Sequence, residues 1–469
     1  MRLTKIVASI SDLRCDVDFI RDVYEAGMNV ARINTAHITL ESATTVINNI
    51  RKISNKIAIL IDTKGPEIRT HNLVNPLVVK KGDIIPVSGK ADFPGENKLS
   101  VSYEKLQDIL VVGNRILIDD GDIELTVIDK DNFLICRVEN DGIIKNKKSM
   151  NIPGVSFELP SVTEKDRLFI DFAVENGLDF IAHSFVRNKY DVIEVQNILD
   201  KHNSPIKIIA KIENLDGVNN IDEILDHAYG IMIARGDLGI EIAAEKLPGI
   251  QRNLIKKAIE WKKPVIVATQ MLHTMIDHPR PTRAEVSDIA NAVFSRTDAL
   301  MLSGETTYGK YPVDAVKTMA RIAEETELSY DNRNDIISPP VENEIQAYLS
   351  EAAIKASNEL PAKAIIATTT TGRTSRYLAS FRGTVPVFAK CHSMHVVRQM
   401  ALSYGVFPSF LEIKKNKFKI EKAAITSLIN SNSISKDDLI IYVGGRFGED
   451  AGASFMEIST VDKFRVEPS

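Results

Sequence analysis

The chain has 469 residues, of which 44% are hydrophobic and 26% charged, with a formal net charge of −5. It is too long for a single hydrophobic core, and its composition is globular, not disordered. The slight acidic balance gives no basic field for nucleic acid, so no nucleic-acid partner is expected.

The first residues, "MRLTKIVASI", carry too short an apolar stretch for a secretory signal. No apolar run approaches the roughly 20 residues of a membrane span. Cys15, Cys136 and Cys391 lie too far apart for a metal motif or a disulfide framework. A cytoplasmic protein without a membrane partner is expected.

In chain order, short apolar runs predict strands at "KIVASI" (5–10), "MNVARIN" (28–34), "IAILID" (57–62) and "LDFIAHSF" (178–185). Four more follow at "IKIIAKIE" (206–213), "GIMIARGD" (230–237), "PVIVAT" (264–269) and "DALMLS" (298–303). They read as strands buried on both faces, as parallel strands under helices are. Helical patterns alternate with them. "DVDFIRDVYEAG" puts Val17, Ile20, Val23 and Tyr24 on one side and stops at Gly27. "SVTE" (161–164) has the form of a capping box, and Pro312 suits a first helical turn. Eight β/α units predict an α/β fold, a (β/α)8 barrel, with a doubly wound open sheet as the alternative.

The period breaks once. Residues 67–158 read as short strands and turns, with "DDG" and "NDG" as hairpin signals, and predict a small all-β lid domain inserted into a barrel formed by 1–66 and 159–328. The polar stretch "ELSYDNRNDIISPPVENE" (327–344) predicts a linker, set at 329–344. A second α/β pattern over 345–469 predicts a C-terminal domain for regulation or assembly.

Function in such barrels collects at the C-terminal ends of the strands. Arg32 and Asn34, Asp62 and Thr63, Lys211 and Glu213, Arg235 and Asp237, Thr269 and Gln270, and Ser303 and Glu305 fall there. Glu213 and Asp237 are few, hard ligands, which suits Mg²⁺ completed by water and substrate. Arg32 and Lys211 would face the same anion, and metal, Arg and Lys together are the equipment of phosphoryl transfer. Each residue alone has a plainer reading: Lys211 and Glu213 as a structural ion pair, Asp237 as a turn residue, Arg32 as a surface contact. His183 reads as a satisfied core histidine. "TTTTGRTSR" (368–376) reads equally as a phosphate nest or a polar loop.

Six blocks, "DTKGPEIRT" (62–70), "KIEN" (211–214), "ARGDLGIE" (234–241), "ATQML" (268–272), "PRPTRAEVSDIANAV" (279–293) and "MLSGET" (301–306), closely resemble those of the pyruvate kinase family, in the same order. The resemblance implies Mg²⁺-dependent transfer of a phosphoryl group from phosphoenolpyruvate to ADP, giving pyruvate and ATP in glycolysis. It implies that Arg32 and Lys211 meet the transferring phosphate, that Glu213 and Asp237 hold Mg²⁺, and that Gly236, Asp237 and Thr269 receive substrate. Thr269 with water would return the proton to the enolate. Asn34, His37, Arg69 and Lys147 would lie on the nucleotide side. Asn34, Asp62 and Thr63 would hold K⁺, although "NTAHI" (34–38) puts Ala36 where the family has a serine ligand. Glu67 is the residue type of potassium-requiring members. The insert resembles the family's mobile lid. The loop at 368–374 matches a sugar-phosphate effector site of some members, whereas "GGRFGEDAGA" (444–453) departs from the usual effector loop. A homotetramer is implied by analogy. Another barrel enzyme acting on phosphoenolpyruvate or pyruvate, and a catalytically silent metabolite-binding protein, are the alternatives. The insert between strands three and four and the ADP-side residues argue against the first, and the intact set of Lys211, Glu213, Asp237 and Thr269 against the second.

Overall fold

The structure is a computed structural model that describes residues 1–90, 97–329, 340, 344–413, 417–445 and 452–464. Eight parallel strands, Lys5–Ser9, Val30–Asn34, Ala58–Asp62, Phe180–His183, Lys207–Ile212, Gly230–Ala234, Val265–Ala268 and Ala299–Leu302, close into a barrel in chain order. Closure is made by the first strand pairing with the eighth, Lys5 opposite Ala299, which removes the open-sheet alternative. Strand alternation divides the side chains between two layers. Val7, Val30, Leu60, Phe180, Ile209, Met232, Ile266 and Met301 fill the interior, while Ile6, Ile59, Ile181 and Ile231 pack against the helices.

Local capping fixes where the helices begin. Asp16 accepts the Phe19 amide at 2.9 Å and opens Val17–Glu25, whose buried face is Phe19, Ile20 and Val23. Val17 and Tyr24, expected on that face, are only half-buried. The capping box lies two residues later than "SVTE" places it: Thr163 is the cap and Asp166 its partner. Ser161 instead donates to Glu194 across to the next helix.

The insert leaves the barrel after the third strand. Seven short strands between Ile68 and Asn151 close into a second barrel around its own core, including Val87, Leu99, Ile116, Leu125 and Cys136. "DDG" makes a hairpin, with Asp119 and Asp120 at φ 56° and 58° joining Arg115–Ile118 to Ile123–Lys130. "NDG" does not: Gly142–Ile144 pairs with Leu77–Val79, distant in sequence, and leaves the preceding strand unpaired to it.

The helix Pro312–Ser329 runs into the expected linker, and residues 330–339 and 341–343 lie outside the described residues. The C-terminal sheet has the order Val406–Phe410, Val387–Cys391, Ala362–Thr369, Leu439–Gly445, Ala453–Thr460, with only the last strand antiparallel. Its first and last strands were not foreseen. Within the divergent loop at 444–453, residues 446–451 lie outside the described residues. This region also closes the barrel floor: Ala401 and Leu402 join the interior cluster. Buried Arg382 grips Asp298 with bonds of 2.9 and 2.5 Å, and Arg398 reaches Asp179 at 2.6 Å. Among the described residues no helix is long and apolar enough to cross a membrane.

Candidate active site at the mouth of the barrel

The second, third and fifth strands each end with inward-facing polar residues, because positions two apart share a face. Arg32 follows Val30, Asp62 follows Leu60, and Lys211 and Glu213 follow Ile209. The Lys211 ammonium sits between two carboxylates, 3.0 Å from Asp62 and 2.9 Å from Glu213. Arg32 closes on the other oxygen of Asp62 at 2.6 Å and donates to Ser9 at 2.8 Å. The ion pair between Lys211 and Glu213 is therefore real, and it belongs to a larger network.

The network fixes the charges. Burial works against a charged Lys211, but Asp62 and Glu213 outweigh it and hold the pKa above the ordinary lysine value. Burial likewise opposes ionisation of Asp62, and Arg32 with Lys211 reverse that. Lys211 is thus a permanent cation, suited to neutralising charge and unsuited to delivering a proton.

Ser184 was not anticipated. Its hydroxyl receives the Lys211 ammonium at 2.7 Å and donates to the Thr63 carbonyl at 2.7 Å. It stands just past the fourth strand, which ends at His183, at a strand end like the other site residues. His183 faces outward among the helices with neither ring nitrogen hydrogen-bonded to the described residues, and burial first lowers its pKa to about 4. It is a core histidine, but not a satisfied one.

Asp237 differs from its neighbours. It does not end a strand: the sixth strand stops at Ala234, and Arg235–Glu241 is a short helix. Arg235 turns away to Asp288 at 2.6 Å and to the Thr269 carbonyl. The Asp237 carboxyl forms no hydrogen bond or ion pair with the described residues, and burial, then the charge of Glu213, push its pKa up to about 7. Two acids of which one cannot readily ionise make a site short of positive charge. A divalent cation supplies that charge, so the pair fits one. No group of three or more His, Cys, Asp or Glu gathers among the described residues, so two carboxylates are what the chain offers, as Mg²⁺ sites often do. Glu213 is oriented by the Phe185 amide, 2.7 Å from its second oxygen.

A cavity of about 680 Å³ opens above this floor. Arg32, Asn34, His37, Asp62, Thr63, Lys211, Glu213 and Asp237 line it from the barrel, and Arg69 and Lys147 from the insert. The geometry thus brings the phosphate-side and nucleotide-side candidates to one space. Arg69 is braced by Glu67 at 2.6 Å and by the Lys147 carbonyl. Lys147 has φ 63°, held in a left-handed turn. Gly236 and Thr269 stand off the cavity lining and hold each other, Gly236 amide to Thr269 hydroxyl at 2.8 Å.

The expected potassium ligands are already engaged. Asn34 Oδ1 accepts the Ala36 amide at 3.0 Å, and both Asp62 oxygens face cations. Thr63 Oγ1 accepts the Ser184 amide at 3.0 Å, and Lys165 donates to the Ala36 carbonyl at 3.1 Å. This set fits K⁺ poorly, since it lacks a side-chain oxygen at Ala36.

Comparison with known proteins agrees along the chain. Residues 1–316 match the family model described as pyruvate kinase, barrel domain, and 348–459 the one described as pyruvate kinase, alpha/beta domain. The chain is 47% identical to a pyruvate kinase of Borreliella burgdorferi, with 98% of each covered. It is 42% identical to that of Geobacillus stearothermophilus, over 98% of this chain and 80% of the relative. The solved structure of a pyruvate kinase from Cryptosporidium parvum superposes with TM-score 0.92 at 34% identity, over 98% of this chain and 96% of the other.

Proposed function

The chain belongs to the pyruvate kinase family, whose enzymes move a phosphoryl group from phosphoenolpyruvate to ADP with a divalent metal, and from that premise we propose how its site works. The observation that carries the reading is Lys211, held charged between Asp62 and Glu213 in the same cavity as Arg32 and Asp237.

Glu213 and Asp237 hold the metal, which we take to be Mg²⁺ because both are carboxylates and water must complete the shell. When bound, the metal would supply positive charge to offset that of the phosphoryl group. Arg32 and Lys211 face the phosphate. Asp62 and Ser184 hold those two cations in place, so little reorganisation is needed at the moment of transfer. Asn34, His37, Arg69 and Lys147 receive ADP, and the insert closes over it to exclude water. Gly236 and Asp237 receive the substrate's carboxylate end. Thr269, with water, returns the proton to the enolate, a step that Lys211 cannot take. Any monovalent ion sits by Asn34, Asp62 and Thr63, and no step depends on it.

We divide the chain into a catalytic barrel (1–66 and 159–328), a lid (67–158), a linker (329–344) and a regulatory domain (345–469). A homotetramer in the cytoplasm, with a sugar-phosphate or nucleotide effector near 368–374, completes the proposal by family analogy. The test is ADP-dependent pyruvate release from phosphoenolpyruvate, followed by coupling to lactate dehydrogenase. Pyruvate release without ADP, or none with it, would end the reading.

A further inference from the structure

A second cavity, of about 180 Å³, lies beside the catalytic one, in the seam between the insert and the barrel. Both chain crossings line it: residues 66–68 on the way out to the insert, and residues within 149–159 on the way back. The barrel contributes Phe185 and Arg187 past the fourth strand, Asp216 past the fifth, and Glu241 at the end of the helix Arg235–Glu241.

The wall on the insert side is apolar. Ile68, Met150 and Ile152 are buried members of the insert's core, and Val155 and Phe157 pack half-buried against that core. The wall on the barrel side is acidic and short of positive charge. Arg187 is the one cation in the lining among the described residues, and it is already engaged. Asp191 pairs with it at 3.0 Å, and it donates to the Phe157 and Leu159 carbonyls at 2.9 and 3.0 Å. Glu67 is likewise engaged, by Arg69 at 2.6 Å. Glu241 accepts the Leu215 amide at 2.9 Å and pairs with no cation among the described residues. The Asp216 carboxylate has neither a hydrogen bond nor an ion pair among them. Burial raises the pKa of Glu241 against the pull of that amide, and the charge of Asp216 adds to the rise. Asp237 lies where the two cavities meet, so a metal in the mouth answers its charge and leaves Asp216 and Glu241 uncompensated.

These acids do not converge on one point: among the described residues no three gather as metal ligands do. Uncompensated carboxylates are costly beside an apolar wall unless a cation with an apolar face meets both. The volume suits a six-membered ring, since an apolar cavity of about 150 Å³ holds benzene. We propose that the seam cavity binds a small organic ammonium ion, a primary amine on a compact apolar body. The ammonium meets Glu241 and Asp216, and the body lies on Ile152, Val155 and Phe157. A bare metal ion satisfies only the acids, and a neutral hydrocarbon only the apolar wall. Because both crossings line the cavity, the bound ion ties the insert to the barrel. Binding there needs no step of the reaction at the mouth.

The experiment is isothermal titration calorimetry of the full chain with benzylamine, at neutral pH and matched ionic strength. The mouth is filled with phosphoenolpyruvate and Mg²⁺, without ADP. The expected result is one benzylamine per chain, with benzyl alcohol, similar in shape but uncharged, about tenfold weaker or more. Glu241→Gln should weaken benzylamine about tenfold or more, the size of one charge-assisted hydrogen bond. Asp216→Asn serves if that variant does not fold. Glu245→Gln, on the exposed surface nearby, should leave the affinity unchanged. Hydrogen exchange locates the ion: benzylamine should slow the amides of 149–157 in the native chain and not in Glu241→Gln. Absence of binding, equal affinity for benzyl alcohol, native affinity in both acid variants, or protection confined to other segments overturns the site.

Discussion

The Gly236 amide donates to the Thr269 hydroxyl at 2.8 Å, and that hydroxyl donates in turn to the Ala268 carbonyl at 2.6 Å. Thr269 is held at φ 69°, a region unfavourable for a β-branched residue, so its position is imposed by the surroundings. In the proposed reaction its proton must leave the backbone and reach the enolate. Thr269→Ala should lower kcat about 10²–10⁴-fold, the range for a lost acid–base group, while Thr269→Ser keeps most of the rate. An alanine variant at near-native turnover in the coupled pyruvate assay removes the role.

Lys211→Ala should lower kcat about 10²–10³-fold, which is about 2.7–4 kcal/mol of transition-state stabilisation. It also leaves Asp62 and Glu213 without the cation between them, so thermal unfolding must be measured alongside. A folded variant with unchanged kcat would show that the lysine is only a structural pair.

Asp237 predicts how metal binding depends on pH. Its folded pKa, about 7, lies above its ordinary 3.8, so the folded metal-free chain holds this proton more tightly than the unfolded one. That contribution to stability is complete below the ordinary value and is lost as pH rises toward 7. Metal needs the ionised form, so apparent Mg²⁺ affinity should rise about tenfold per pH unit below 7 and level off above it. Asp237→Asn should weaken the metal and flatten the profile. A metal titration with the same slope in both proteins would contradict this.

Ala36 predicts a loose response to monovalent ions. Activity should vary only weakly among Na⁺, K⁺ and tetramethylammonium buffers, and Ala36→Ser should sharpen the preference for K⁺. Identical rates in all three buffers for both proteins would remove the monovalent site.

Arg382 and Asp298 are each 3% exposed at the side chain and pair at 2.5 Å. Removing one partner strands a buried charge, so Arg382→Met should cost about 3–5 kcal/mol in unfolding measurements. The double variant with Asp298→Asn should cost less than the two single changes summed. Strict additivity would mean that the two do not act as a pair.

The barrel was legible because its strands are buried on both faces and read as unbroken apolar runs. Their ends were less so. "GIMIARGD" continues in strand-like fashion, yet pairing with the seventh strand stops at Ala234 opposite Ala268, and a helix starts at Arg235. The site's membership was visible at strand ends, but its pairings were not. Nothing in the chain reveals that Arg32 and Lys211, far apart in sequence, arrive on either side of Asp62. The insert's closure into a barrel was also hidden: its strands include runs as short as Leu99–Val101, and Arg69 pairs with Ser149 across most of the insert.

Ala401 and Leu402 complete the packing beneath Val7, Met232 and Met301. The catalytic half of the chain therefore borrows part of its bottom layer from the other half. A gene fragment ending near residue 329 would carry every candidate reacting residue and still present an oily hole to solvent. Recombination between relatives should accordingly succeed only when both halves are inherited from one parent, or when the segment around 401 is exchanged together with the barrel it plugs.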